Sequence, residues 1–142
     1  MFDAPLQPPS PPAAAPRVLL VDDNAINLLV AREMLSSLGV AVDTAEDGAE
    51  ALARLERGGY ALVFMDVMMP RLDGLAATRQ WREREQHRRA QRVPIVALTA
   101  NAMAADRERC LAAGMDDYLA KPVRREQLAQ MLMRWLTDAP PA

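Results

Sequence analysis

Ala61-Leu-Val-Phe-Met-Asp66-Val-Met-Met-Pro70 is the stretch on which the reading of this chain turns. Five apolar residues run straight into one carboxylate, and a loop ending in proline follows. A short, near-continuous apolar run predicts a strand covered on both faces, as in a parallel sheet flanked by helices. Such a strand delivers its last polar residue to its carboxyl end, where α/β sheets hold their ligands. Asp66 is then either an acid that caps or turns the chain or part of a site, and the rest of the sequence has to decide.

Outward from this stretch, strand and helix signals alternate. Arg17–Val21 predicts a strand ending in Asp22-Asp23-Asn24, and residues 25–38 a helix with an apolar stripe of Ile26, Leu29, Val30 and Leu38, stopped by Gly39. Val40–Thr44 predicts a second strand, and Asp47 to Arg57 a helix ending at Gly58-Gly59. Residues 61–65 are the third strand and Gly74 to His87 the third helix; Pro94–Leu98 is the fourth strand, with Ala102 to Ala113 a helix stopped by Gly114. Tyr118–Ala120 makes a short fifth strand and Arg124 to Leu136 the closing helix. Five βα units in series imply a parallel sheet with right-handed crossovers and helices on both faces. The expected fold is α/β, a flavodoxin-like (βα)5 doubly wound sandwich with strand order 2-1-3-4-5.

Residues 1–16 hold six of the eleven prolines and predict a Pro/Ala-rich linker or disordered arm; residues 17–137 form the domain, and 138–142 a second linker or tail. A body between two such segments reads as a module of a longer polypeptide, the alternative being a free-standing protein. With 142 residues there is room for one domain and a real core. A net charge of −2 gives no broad electrostatic case for nucleic acid or an anionic membrane. A single cysteine, Cys110, excludes an internal disulfide. No apolar run approaches the ~20 residues of a membrane span, and the N-terminus lacks the pattern of a signal peptide. The expected setting is cytoplasmic, although a longer parent chain could be membrane-anchored. Of the 17 basic residues only Lys121 is a lysine, which marks a place where a compact ammonium is wanted.

In the 2-1-3-4-5 order the first and third strands are neighbours, so Asp22, Asp23 and Asp66 share one pocket with Thr99 and Lys121 beside it. Asp22 and Asp23 have an alternative use as caps of the first helix. Three crowded carboxylates repel one another unless a cation neutralises them. A hard divalent ion such as Mg²⁺ suits oxygen ligands completed by water and phosphate. An aspartate beside such an ion can attack phosphorus and become an aspartyl phosphate. That transfer depends chiefly on charge stabilisation of the phosphoryl oxygens. Lys121 and the Thr99 hydroxyl are placed to supply it, and Ala100 leaves space for the incoming group.

Val21-Asp-Asp-Asn24, Met65-Asp66-Val-Met-Met-Pro70 with Asp73-Gly74, Ala97-Leu-Thr99-Ala100 and Gly114-Met-Asp-Asp-Tyr-Leu-Ala-Lys121-Pro122 together resemble a response-regulator receiver domain of two-component signalling. The resemblance covers residues 17–137, and its wording is nearest to receivers attached to hybrid sensor histidine kinases. It implies that Asp66 is the phosphoacceptor, taking phosphate from a partner phosphohistidine. Asp23 would be a direct metal ligand, Asp22 the acid that reaches the metal through water, and the Met68 backbone carbonyl the third protein ligand of Mg²⁺ or Mn²⁺. Thr99 would be the switch hydroxyl, Lys121 the phosphate-pairing cation in a cis Lys121–Pro122 turn, and Tyr118 the aromatic that swings inward as Thr99 moves. Met68 and Asn101 occupy positions where phosphate lifetime is tuned. The implied partners are a histidine kinase or histidine phosphotransfer domain, and a downstream partner reached through the fourth helix, fifth strand and fifth helix; a homodimer stays open. The chain would catalyse its own Asp66 phosphorylation and dephosphorylation without being an independent enzyme.

Other residues have plainer readings. Asp73 caps the third helix with Gly74. The run Arg82–Arg92 reads as a solvated helix end, and His87 within it has no acidic partner pattern, so this chain is not the phosphohistidine donor. Cys110 is small core filling, and the methionines, Met34, Met65, Met68, Met69, Met103, Met115, Met131 and Met133, are packing residues. Leu28 falls off the first-helix stripe and is expected exposed beside the acids, where it could dock a donor helix bundle. The closing helix offers Leu128, Met131, Leu132, Trp135 and Leu136, more than one stripe needs, with part expected to face the fourth helix and a partner. Two rivals are a receiver-fold interaction module never phosphorylated in use and a nucleotide-binding enzyme; the second lacks a Gly-rich phosphate loop after the first strand.

Overall fold

A computed structural model describes residues 15–69, 72–88, 91–100 and 104–136. Strands β1 (Arg17–Val21), β2 (Ala41–Ala45), β3 (Leu62–Asp66), β4 (Ile95–Thr99) and β5 (Asp117–Ala120) alternate with helices α1 (Ala25–Ser37), α2 (Gly48–Arg57), α3 (Gly74–Arg88), α4 (Ala104–Ala113) and α5 (Arg125–Leu136). The strands pair in parallel in the order β2-β1-β3-β4-β5, as expected. Residues 1–14 and 137–142 lie outside the described residues, as do Pro70, Asn101 and Met103.

Side chains alternate across the sheet with period two. Leu19, Val21, Val63, Met65, Ile95 and Ala97 face one side, where α2, α3 and α4 cover them. Val18, Leu20, Leu62, Phe64, Val96 and Leu98 face the other, under α1 and α5. Two covered faces leave little room for a polar residue in the central strands, which is why β1, β3 and β4 read as near-continuous apolar runs, while the edge strands β2 and β5 carry Asp43, Thr44 and Asp117.

β2, β3 and β4 each begin and end one residue later than the apolar runs suggested. Ladder bonds carry the pairing past the runs, the Val67 amide donating to Leu98 O (3.0 Å) and Lys121 to Thr99 O (2.8 Å). Asp66 and Thr99 are consequently the last residues of their strands, held by the sheet rather than by loops.

The structure corrects the expectations for α1, for the Arg82–Arg92 run and for two of the methionines. On α1, Leu28 is buried (7% exposed), whereas Ile26 (71%), Leu29 (60%) and Val30 stand in solvent. The buried stripe is Leu28, Ala31 and Leu35, spaced as helically as the predicted one, and the rotational phase comes from the helix start. Asn24 is that start: its Oδ1 accepts from the amides of Ile26 (2.9 Å) and Asn27 (3.0 Å), so neither Asp22 nor Asp23 is the cap. Asp73 does cap α3, its Oδ1 accepting from Ala76 N at 2.8 Å.

The Arg82–Arg92 run is not simply a solvated helix end. Glu85 lies on the buried stripe of α3 with Thr78 and Trp81, and accepts from Trp81 Nε1 and Val93 N, both at 2.9 Å. Arg82 pairs with Glu85 and Asp116 at 2.8 Å each and donates to the carbonyls of Gly114 and Val93, so it ties α3 to the entries of β4 and β5. Gly114 (φ 107°) closes this corner, because a Cβ there would meet Arg82 Cγ at 2.8 Å.

The closing helix, finally, packs against α1 and buries Leu128, Met131 and Leu132 on the face of the sheet opposite to that of Cys110 and Ala113 of α4. Asp117 pins it to β5 by accepting from Arg134 Nη1 (2.6 Å) and Trp135 Nε1 (3.2 Å). Cys110, Met65, Met69, Met115 and Met131 are buried as core filling, but Met68 and Met133 are exposed. Among the described residues, no helix is long and apolar enough to cross a membrane.

Candidate functional site

β1 and β3 end side by side, with Val21 opposite Met65, and this register brings Asp22 and Asp66 together. One carboxylate oxygen from each of Asp22, Asp23 and Asp66 lies within 4.8 Å of the others. Asp22 and Asp66 are buried (3% and 2% exposed), while Asp23 faces solvent. Each buried acid is oriented locally. Asp22 Oδ1 accepts from the Asn24 amide (2.9 Å), and Asp66 Oδ1 from the Met68 amide (3.2 Å).

Lys121 bridges the two buried acids, with Nζ 2.9 Å from Asp66 Oδ2 and 3.2 Å from Asp22 Oδ2. The backbone bond from Lys121 to Thr99 O fixes the root of that side chain to the end of β4, and the Lys121–Pro122 peptide is cis. The lone lysine of the sequence thus stands in the acidic pocket. Burial opposes its charge, yet Asp66 and Asp22 outweigh this and hold its pKa above the usual lysine range.

Burial pushes the Asp66 carboxyl up to about 6; Lys121 pulls it back and the Asp22 charge adds to the rise. Without a cation bound, Asp66 should therefore titrate near pH 6 in a pH series of carboxyl-carbon NMR spectra. A midpoint at the unperturbed value of 3.8 would contradict the desolvation argument. The folded carboxyl holds its proton more tightly than the unfolded one, so this group's contribution to stability declines as pH rises from about 4 to about 6 and is constant above. A hard divalent cation reverses that penalty, and an all-oxygen donor set with one solvent-facing member fits such an ion.

Thr99 is buried at the end of β4, and Ala100 beyond it is exposed. A cavity of about 320 Å³ lies between Val67, Met68, Thr99, Ala100 and Cys110. Tyr118 sits on β5 one strand away, half-buried against the core, with the Arg107 guanidinium of α4 5.0 Å above its ring. On the other side of the acids a cavity of about 370 Å³ opens between Val30 of α1 and Lys121-Pro122-Val123. Asp22, Asp23, Asp66, Met68, Thr99 and Lys121 all lie at the carboxyl end of the sheet, whereas Tyr118 stands further back, opposite Ala97, and Asn101 lies outside the described residues. Sequence reasoning missed the exposed apolar side of α1 and the arginine over Tyr118. The first had a signal, since Ile26, Leu29 and Val30 lie one helical turn apart on a helix that already had a second stripe.

Residues 18–133 match the response regulator receiver domain family. The chain is 46% identical over 121 residues to the sensor protein GacS of Pseudomonas syringae pv. syringae, a match covering 85% of this chain and 13% of that protein. It is 39% identical over 144 residues to Histidine kinase 5 of Arabidopsis thaliana, covering 85% of this chain and 16% of that protein. The chain thus spans well under a fifth of these relatives. The receiver domain of sensor histidine kinase PA1611 from Pseudomonas aeruginosa PAO1, solved with a magnesium ion in its active site cleft, superposes with TM-score 0.77 at 50% identity, covering 86% of this chain and 98% of that one. The receiver domain of Ssk1, solved with the histidine phosphotransfer protein Ypd1 of Saccharomyces cerevisiae, gives 0.82 at 34% identity, covering 87% and 94%. This chain belongs to the response regulator receiver domain family.

Proposed function

We propose that Asp66 accepts a phosphoryl group from a phosphohistidine of a partner protein, and that the chain is the receiver segment of a hybrid sensor histidine kinase. The observation that carries the reading is the Lys121 bridge between Asp66 and Asp22 inside a three-carboxylate cluster. A carboxylate oxygen of Asp66 attacks phosphorus, a P–O bond forms as the P–N bond breaks, and the imidazole leaves with the electron pair and takes up a proton. Asp22, Asp23, Asp66 and the Met68 carbonyl would hold Mg²⁺ or Mn²⁺, whose charge neutralises the phosphoryl oxygens. Lys121 and the Thr99 hydroxyl pair with the remaining oxygens. Thr99 drawn toward the phosphate vacates space for Tyr118, whose ring then leaves the Arg107 guanidinium and alters the α4–β5–α5 surface. Met68, exposed at the mouth, and Asn101 tune how readily water reaches the acyl phosphate.

The exposed Ile26, Leu29 and Val30 of α1, of which Val30 lines a cavity with Asp22, suit an apolar donor helix. The Ypd1–Ssk1 complex supports a histidine phosphotransfer domain as one such donor. Docking and chemistry can be separated by the double variant Ile26→Glu, Leu29→Glu. Transfer from a histidine-phosphorylated kinase or phosphotransfer domain should slow at least about 10-fold, the scale of one buried apolar contact. Phosphorylation by acetyl phosphate should stay unchanged. Equal transfer from the protein donor would remove α1 from the interface, and no transfer to the unaltered chain from any histidine donor would remove the proposal.

A further inference from the structure

The segment from Asp66 to Leu72 bears the proposed phosphoacceptor and the carbonyl assigned to the metal, and helices press on both its ends with bare backbone. At one end the Gly74 amide donates to Val67 O at 3.1 Å. A Cβ built on Gly74 would lie 2.1 Å from the carbonyl oxygen of Asp66 itself. At the other end the Gly48 amide donates to Leu72 O at 3.1 Å, and a Cβ there would lie 2.4 Å from that same oxygen. Neither glycine has a positive φ, so turn geometry does not demand them, in contrast to Gly39, Gly58, Gly59 and Gly114. What demands them is close approach. The obstructing atoms are main-chain oxygens, which cannot swing aside as the tip of a side chain can. A methyl group at Gly74 must therefore displace α3 or the backbone at Asp66, and one at Gly48 must displace α2 or the backbone at Leu72. Met69 and Leu72 pack on the same core cluster as Leu52 and Leu55 of α2.

We infer, resting on the roles proposed above for Asp66 and Met68, that Gly74 and Gly48 are positioning residues with separate duties. Gly74 sets where the Asp66 carboxylate stands, and so governs the chemical step even with the metal site filled. Gly48 bears on the Met68 carbonyl through Leu72 and the Met69 side of the core, and so governs metal affinity but not the saturated rate.

The test measures stability, Mg²⁺ affinity by calorimetry, and the rate of phosphorylation by acetyl phosphate across a Mg²⁺ series, in Gly74→Ala, Gly48→Ala and Gly39→Ala. Gly39 (φ 93°) has nothing within 4 Å of its built Cβ, so its alanine variant carries backbone strain at the far end of α1 without touching the site. Gly74→Ala should lower the rate at saturating Mg²⁺ at least about 10-fold, the scale of a small misplacement of a reacting group. Gly48→Ala should raise the Mg²⁺ needed for half-maximal rate about 10-fold, as loss of an outer support does, while the saturated rate stays near that of the parent. Gly39→Ala should lose stability with both kinetic quantities unchanged. If an alanine variant fails to fold, Asp73→Ala or Asp47→Ala takes its place, since each loosens the same first turn by removing a cap without adding an atom; the direction expected is the same. Variants that fold and keep the parent's Mg²⁺ affinity and saturated rate, whatever stability they lose, would overturn the inference. An unaltered protein that takes no phosphate at all would instead overturn the reading of Asp66 on which it rests.

Discussion

Lys121→Ala should lower the rate at which Asp66 accepts phosphate by about 100-fold or more at saturating Mg²⁺, the scale reported for loss of one preorganised charge-stabilising donor. The side chain is the only cation paired with both Asp22 and Asp66 among the described ion pairs, at 3.2 and 2.9 Å. Without it, two buried carboxylates face each other with no fixed positive charge. The Asp66 carboxyl, already raised to about 6, should then titrate higher still, because the main group lowering it is gone. Lys121→Arg keeps the charge but replaces a compact ammonium by a planar fork. It should fall between the parent and the alanine variant in rate. An arginine variant indistinguishable from the parent in rate and in phosphorylation-dependent amide shifts would show that only net charge matters here.

Arg82→Ala should cost about 3–5 kcal/mol of stability, the range for removing one partner of a buried ion pair. In a domain of this size that is a fall in Tm of roughly 10 °C or more. Its guanidinium is 11% exposed and its partners Glu85 and Asp116 are 6% and 14% exposed, so water cannot replace it. Asp116 keeps a bond from Arg92, but Glu85 is left with only the Trp81 and Val93 donors for its charge. Arg84→Ala is the control. Arg84 pairs with Glu56 at 2.8 Å on the surface, 40% exposed, where solvent screens the pair and its loss should barely move Tm. Thermal unfolding of both variants decides the point. Equal small losses would mean that the Arg82 network is a solvated one.

The contrast between these two arginines shows what could be read from the sequence. Strand order and the convergence of Asp22, Asp66, Thr99 and Lys121 were legible, because βα alternation leaves few arrangements, β3 and β4 end in a polar residue, and β1 and β5 run straight into one. Arg82 and Glu85 were not, since a charged run looks the same whether its charges meet water or one another. The residues that bury Arg82 come from Val93, Gly114 and Asp116, far along the chain. The phase of α1 was equally hidden. Both Ile26-Leu29-Val30 and Leu28-Ala31-Leu35 are valid helical stripes, and the choice rests on Asn24 capping the helix at one angle to β1. Asp66 itself was placed one residue outside the strand that contains it, because apolarity stops at Met65 while the hydrogen-bond ladder continues to Val67.

The most direct measurement is the intact mass of the protein after incubation with acetyl phosphate or phosphoramidate, with and without Mg²⁺, followed by peptide mapping. The account predicts a gain of one phosphate that requires Mg²⁺, maps to Asp66 and is absent in Asp66→Ala. A folded, Mg²⁺-binding protein that gains nothing from any donor, or a gain that survives in Asp66→Ala, would contradict it.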